Sequence, residues 1–185
     1  MVSDYRAYAD RVITRPCLSS GVGDSVWSPP RAGFIKIITD AYMAGDESVG
    51  LGAVARDKDG RILWLGYWQV GAEWSVEVAE AKAAMFGLDI AKERGLSNIV
   101  LKCDALNLVR AVRDKNIART PVGLCVEDLC TLLSFFESSK CCHVKRGGNI
   151  VAHCVARISE RVGVATVLVT DFPQGVLSLA EIDLI

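Results

Sequence analysis

A mixed α/β sheet flanked by helices is the fold this sequence predicts, and three observations predict it. Short β-branched apolar runs open the patterned part of the chain, and a strong turn signal joins two of them. Beyond residue 75 such runs alternate with longer segments of helical period. A hairpin meander followed by αβ units implies five strands, antiparallel at one side of the sheet and parallel where crossovers occur.

The first thirty-two residues carry no clear period and end in WSPPRAG, a Pro-rich stretch suited to an irregular lead-in. Phe34 to Ala41 (FIKIITDA) is the apolar run a doubly covered strand needs. Val49 to Arg56 and Arg61 to Val70 flank DKDG, whose Asp59-Gly60 is a hairpin signal, so these three runs form the meander. A helix follows, with Ser75 as N-cap, Glu77 in its first turn and Gly95 as its stop. Asn98 to Cys103 reads as a fourth strand, ALNLVRAVRDK as a helix, and VGLCVEDLCTLLSFFES, after the Pro121 break, as another. KCCHVKR supplies the fifth strand and Gly147-Gly148 a tight loop. A last helix is expected over Asn149 to about Val162, then a short amphipathic piece around Val176 to Ile182.

A mass of 20.0 kDa with 51% hydrophobic residues and a mean hydropathy of +0.28 suits one domain with a proper core. The expected division is a lead-in over 1–32, the α/β domain over 33–163 and a C-terminal extension over 164–185. No apolar run approaches the roughly 20 residues of a membrane span, and the opening MVSDYRAYADRV is too charged for a secretory signal. The expectation is a soluble protein of the nucleus or cytoplasm with no membrane partner. Seven cysteines, an odd number in a chain with no export signal, favour reduced thiols over a disulfide framework. CCH followed by HC invites a zinc reading, but adjacent cysteines on a strand point to opposite faces and no C-x2-C pair is present. With a formal net charge of −1, nucleic-acid binding requires a local basic patch.

Three carboxylates sit oddly for their local pattern. Asp40 and Asp104 each close an apolar strand, and taken singly such aspartates are often only turn formers. Glu80 lies on the wheel beside Val76, Ala83, Gly87 and Ala91, opposite Lys82, Asp89 and Glu93, so the helix buries this glutamate's own face. A buried carboxylate without a partner is costly, and Glu80 needs a cation, a metal or a strong donor nearby. If the strands bearing Asp40 and Asp104 are parallel neighbours, both aspartates emerge at the carboxyl edge of the sheet, within reach of Glu80. Three converging carboxylates repel one another unless a hard divalent cation sits among them, and all-oxygen ligation favours Mg²⁺ or Mn²⁺. His153 is one of two histidines in the chain. On the last helix it shares a side with Asn149, Arg157 and Glu160, opposite Val151, Val155, Ile158 and Val162, so it is a surface residue or is aimed into a cleft.

Five pieces in this order resemble a ribonuclease H-type domain, specifically the plant reverse transcriptase-like branch found in retroelement polyproteins and as free-standing proteins. They are WSPPRAGFIKIITDA, GLGAVARDKDGRIL, AEAKAAMFGLDIAKERGL, IVLKCDALNLV and HVKRGGNIVAHCVAR, and they cover about Trp27 to Glu160. The resemblance implies a ribonuclease H-like fold. It matches Asp40, Glu80 and Asp104 to three of the family's metal-holding acids and His153 to its fourth, in a motif resembling N-x-x-A-D-x-L-A. It further implies two divalent ions and cleavage of the RNA strand of an RNA–DNA hybrid, leaving a 3′ hydroxyl and a 5′ phosphate. Neutral imidazole is a poor ligand for Mg²⁺ and an acceptable one for Mn²⁺, while protonated imidazole repels a second ion. Three roles for His153 stay open: a weaker ligand, a proton shuttle or water-orienting group, and a neutral survivor of a decayed site.

A hybrid is recognised by its 2′-hydroxyls and phosphates, which requires positive charge near the acids. Arg110, Arg113, Lys115 and Arg119 cluster on and after the helix that follows Asp104, and Lys145, Arg146 and Arg157 flank the final helix. Of these, Arg110, Arg113, Lys145, Arg146 and Arg157 are the expected nucleic-acid contacts. Two functions follow as expectations: a metal-dependent endonuclease on RNA–DNA hybrids, weakened by His153, or a catalytically inactive, domesticated module that binds nucleic acid or a protein partner. With no polymerase or integrase segment, the chain is expected to work alone or in trans.

Overall fold

A computed structural model describes residues 25–45, 47–158 and 163–184. Its strands are β1 (Ile35–Met43), β2 (Ser48–Arg56), β3 (Ile62–Gly71), β4 (Asn98–Cys103), β5 (Ser138–His143) and β6 (Ala165–Leu168). The helices are α1 (Val76–Glu93), α2 (Leu106–Arg113), α3 (Pro121–Leu133), α4 (Ile150–Ala156) and α5 (Gln174–Ile182), with a single 3₁₀ turn at Arg146–Gly148.

All six strands share one sheet in the order β5-β4-β1-β2-β3-β6. The meander is antiparallel, whereas β1 pairs with β4 and β4 with β5 in parallel. Parallel pairing is forced by the crossovers: α1 lies between β3 and β4, and α2 and α3 lie between β4 and β5. One face of the sheet packs on α1 and α3 through Ile37, Leu51, Trp64, Leu88, Leu101 and Leu129. The other packs on α4 and α5 through Val54, Leu65, Tyr67, Val151, Val155 and Val176.

The signals at Ser75, Gly95 and Asp59-Gly60 act as read, whereas the helix expected over 122–138 spans Pro121–Leu133 and the strand expected over 140–146 spans Ser138–His143. The Ser75 hydroxyl accepts from the Val78 amide at 3.3 Å, and Gly95 closes α1 at φ +66°. Thr120 caps α3 through the Gly123 amide at 3.1 Å, with Pro121 in the first turn, where its missing N–H costs nothing. Gly60 turns the hairpin at φ +80° while the Asp57 carboxylate accepts from the Asp59 and Arg61 amides.

Three further expectations need correction. The sheet has six strands, not five, because Ala165–Leu168 adds to β3 in antiparallel register. Four residues are too few for an alternation to stand out, and β3's open edge is what makes this segment a strand. The final helix ends at Ala156, with Arg157 as its C-cap, instead of running to Val162; residues 159–162 lie outside the described set. Asn149, placed on the polar side with His153, is buried, because it faces the sheet edge and not solvent. Most of the lead-in, 1–24, is also outside the described residues; 25–34 hold no strand or helix.

Two packing features fix α4 and α5. At Gly50 and Gly52 an added Cβ would stand 2.0 Å from the Ala156 carbonyl oxygen and 2.4 Å from the Ala156 amide nitrogen, so α4 lies backbone to backbone on β2. The fully buried Arg56 guanidinium bonds Asp183 Oδ2 at 2.9 Å, the Ala180 carbonyl at 2.7 Å and the Gly60 carbonyl at 2.9 Å, and stacks 4.0 Å from the Trp27 ring. A desolvated cation with this many acceptors ties α5 to the hairpin.

Gly52→Ala is expected to cost about 2–3 kcal/mol, because backbone cannot yield as a flexible side chain does. Thermal melts should show a fall of roughly 5–10 °C. An unchanged midpoint would mean that α4 does not press on β2.

Candidate metal centre

The site is built where strands end. In the parallel pair, Ile38 lies beside Lys102, so continuing both strands by two residues brings Asp40 and Asp104 to the same edge. Glu80, in the second turn of α1, reaches the same point from the crossover above. One carboxylate oxygen from each of Asp40, Glu80 and Asp104 lies within 4.8 Å of the others. Asp40 and Glu80 are buried and Asp104 half-buried.

Each acid has a distinct set of neighbours. Asp40 Oδ1 accepts from Asn149 Nδ2 at 2.8 Å, and its Oδ2 lies 2.8 Å from His153 Nδ1. Asn149 also donates to the Thr39 carbonyl at 3.4 Å, which locks it across the end of β1. Glu80 accepts from the Ala41 amide, while its buried Oε2 has no hydrogen-bond partner. Asp104 has Arg146 Nε 4.0 Å from Oδ2, and its backbone carbonyl lies 3.1 Å from His143 Nε2. Both histidines of the chain therefore touch one of the aspartates.

The electrostatics follow from burial and crowding. Burial, reinforced by the charges of Asp40 and Asp104, pushes the Glu80 carboxyl up to about 9. Burial also raises Asp40, to about 6; the His153 hydrogen bond lowers it and the Asp104 charge raises it. A proton or a cation must occupy this cluster at neutral pH. The orphaned Oε2 and the all-oxygen donor set fit a hard divalent ion bound by Asp40, Glu80 and Asp104.

A cleft of about 370 Å³ opens beside the acids, lined by Glu80, Asp104, His143, Lys145 and Arg146. A second, of about 450 Å³, lies between α1, α2 and α3 and shares Glu80 as a wall.

A family model described as reverse transcriptase-like matches residues 39–159, more than half of the chain. The chain belongs to the reverse transcriptase-like family. No curated protein matches it. Among solved structures, ribonuclease H1 from the halophilic archaeon Halobacterium salinarum NRC-1 is 22% identical, with a TM-score of 0.61, over 66% of this chain and 93% of that one. The N-terminal ribonuclease H domain of a Mycobacterium tuberculosis protein, solved as a maltose-binding-protein fusion, is also 22% identical. Its TM-score is 0.60, over 66% of this chain and 89% of that one. A ribonuclease H1 called LC11, solved in complex with an RNA/DNA hybrid, is 20% identical with a TM-score of 0.59, covering 65% and 92%. The fold of this reverse transcriptase-like chain is thus that of ribonuclease H, with a sixth strand.

The structure brings together Asp40, Glu80, Asp104 and His153, and sets Lys145 and Arg146 in the adjoining cleft. Arg157 lies over the Tyr42 ring at 4.7 Å, and that ring meets His153 edge-on at 6.3 Å. Arg113 is spent on its neighbour Asp114 at 2.9 Å, and neither it nor Arg110 lines either cleft. Asn149 and His143 were not singled out in the sequence. The asparagine that opens the N-x-x-A motif was the available signal for one, and the Cys103↔His143 strand register, invisible in sequence, explains the other.

A sign follows for stability against pH. Glu80's folded pKa, about 9, stands above its ordinary 4.5. An acid shifted this way holds, when folded, a proton that the unfolded chain releases, so stability is full below about 4.5 and is lost as pH rises toward 9. In metal-free protein Glu80→Gln should therefore raise stability at pH 8, by an amount on the order of 2 kcal/mol, and change little at pH 4. Denaturant melts at the two pH values check this. A loss of stability at pH 8 would contradict the assigned burial of Glu80.

Proposed function

We propose that this protein is a divalent-metal-dependent endonuclease that cuts the RNA strand of RNA–DNA hybrids, in the plant, retroelement-derived branch of its family. The observation that supports it most is the convergence of Asp40, Glu80 and Asp104 within 4.8 Å at the carboxyl edge of a ribonuclease H sheet. When bound there, divalent metal supplies activation of a water and stabilisation of the leaving oxygen.

The chain's own residues do the rest. Asp40, Glu80 and Asp104 hold the charge that fixes cations at the edge of the sheet. Asn149 and His153 fix the Asp40 carboxylate, each through one oxygen, so its rotamer is set before anything binds. Lys145 and Arg146 line the adjoining cleft, where they would meet backbone phosphates. The Arg146 side chain is 97% exposed and free to swing between Asp104 and a phosphate.

His153 motivates a second reading, a module that binds nucleic acid without cutting it. With Nδ1 on Asp40 Oδ2, the imidazole occupies an oxygen that a second cation would use. A fourth carboxylate there would add a ligand; a histidine donating to Asp40 removes one.

Cleavage of an end-labelled hybrid in Mg²⁺ and in Mn²⁺ separates the two. The native chain should cut faster in Mn²⁺, and Asp40→Asn should reduce the rate at least about 10³-fold. His153→Asp should raise the Mg²⁺ rate specifically. A native rate no greater than that of Asp40→Asn with either ion would leave only the binding module. Arg146→Ala should weaken hybrid binding and lower the salt slope by about 1.

A further inference from the structure

The three acids are not held alike. Asp40 is fixed by two side chains, one on each carboxylate oxygen, and Glu80 by the Ala41 amide. The partner of Asp104 is weaker: Arg146 Nε stands 4.0 Å from Oδ2, on a side chain that is 97% exposed. An ion pair this long and this exposed orders a carboxylate poorly. What places Asp104 therefore has to act on its backbone.

Asp104 is the first residue past the end of β4. The last register pair between β4 and β5 is Cys103 with His143, and the Val144 amide donates to the Cys103 carbonyl at 3.0 Å. One residue later the chain leaves the sheet toward α2, and among the described residues no backbone amide donates to the Asp104 carbonyl. His143 Nε2, 3.1 Å away, takes that place. A carbonyl oxygen only accepts, so Nε2 carries the hydrogen and the imidazole is the donor. The ring is rooted directly across from Cys103 and is half-buried in the wall of the cleft beside the acids. Its bond thus ties the turn that bears Asp104 to the neighbouring strand.

We propose that His143 is a positioning residue for the metal centre: by holding the Asp104 carbonyl it sets where the Asp104 carboxylate stands relative to Asp40 and Glu80. This rests on the metal-binding part of the function proposed above and not on cleavage. The contrast with the other histidine is chemical. His153 meets a carboxylate oxygen, which a cation would also use, whereas His143 meets a carbonyl and leaves both carboxylate oxygens of Asp104 to a ligand. Groups one step out from metal ligands change metal affinity about 10–100-fold when they are lost.

Calorimetric titration of the full chain with Mn²⁺ tests it, using two amide replacements that differ in reach. Glutamine sets its amide nitrogen near the place of Nε2, whereas asparagine sets it near that of Nδ1, too short to meet the Asp104 carbonyl. His143→Asn is expected to weaken Mn²⁺ binding about 10–100-fold, and His143→Gln to keep it within about threefold of native. Thermal midpoints of the two variants in EDTA should agree. Equal affinities in all three proteins overturn the proposal, as does equal weakening by both variants, since a donor at the Nε2 position would then have no role. A loss of affinity matched by a fall in the EDTA midpoint of His143→Asn assigns the residue to folding and overturns it too. A native chain that binds no Mn²⁺ removes the metal centre and the role of His143 with it. Cleavage plays no part in the readout, so a chain that binds Mn²⁺ as expected and cuts nothing would refute the nuclease reading and not this one.

Discussion

Three carboxylates held within 4.8 Å of one another, two of them buried, cannot all remain charged without a cation, and much of the structure is arranged around that constraint. The parallel register of β1 and β4 delivers two of them to one edge, and the crossover helix delivers the third. Each then receives only partial compensation. Asp40 has two side-chain partners, Glu80 has one backbone amide, and Asp104 has a distant guanidinium. Full pairing would neutralise the cluster and close it to a metal. Leaving Glu80 Oε2 unsatisfied keeps a position open at the expense of stability in the metal-free state.

That arrangement depends on α4 standing close to the sheet, and the two core faces contribute unequally to keeping it there. Helix α1 is eighteen residues long and would hold its place through the large core alone. Helix α4 has seven residues, too few for local propensity to matter. Its position comes from Gly50 and Gly52, which admit its backbone, and from α5, whose Val176 and Ala180 join Val151 and Val155 in the smaller core. Arg56 links α5 to the hairpin through Asp183. The residues after 163 thus reach the site indirectly: they brace the helix that carries His153 and follows Asn149.

What could be read from the sequence divides along physical lines. β4 was legible to the residue, and α1 from its caps, because apolar runs and N-cap chemistry are local properties. Glu80 was legible because a carboxylate on an apolar stripe conflicts with its surroundings. Strand β6 was not, since four residues become a strand only against β3. Asn149 misled for a related reason. A helical wheel assigns polar residues to solvent and cannot see that the sheet edge beneath is itself polar. His143 depends on register between β4 and β5, and no periodicity reports register. Trp27 was part of a stretch read for its prolines and for its resemblance to a family, yet its ring covers the Arg56 guanidinium.

His153 changes the charge balance more than the geometry. An aspartate at that position would stand as a fourth anion beside Asp40, and only a cation could reconcile the two. Histidine instead offers a donor at 2.8 Å and lies against Tyr42, itself stacked on Arg157. Burial and the Asp104 charge disfavour negative charge on Asp40, while His153 and Arg146 favour it. These opposing influences fall on one carboxylate, so a single substitution at 153 moves the proton affinity of Asp40. The half-exposed imidazole remains open to solvent on its outer side. Asp40 Oδ2 already has the imidazole as its partner, so any group that approaches that oxygen must share it with His153 or displace it.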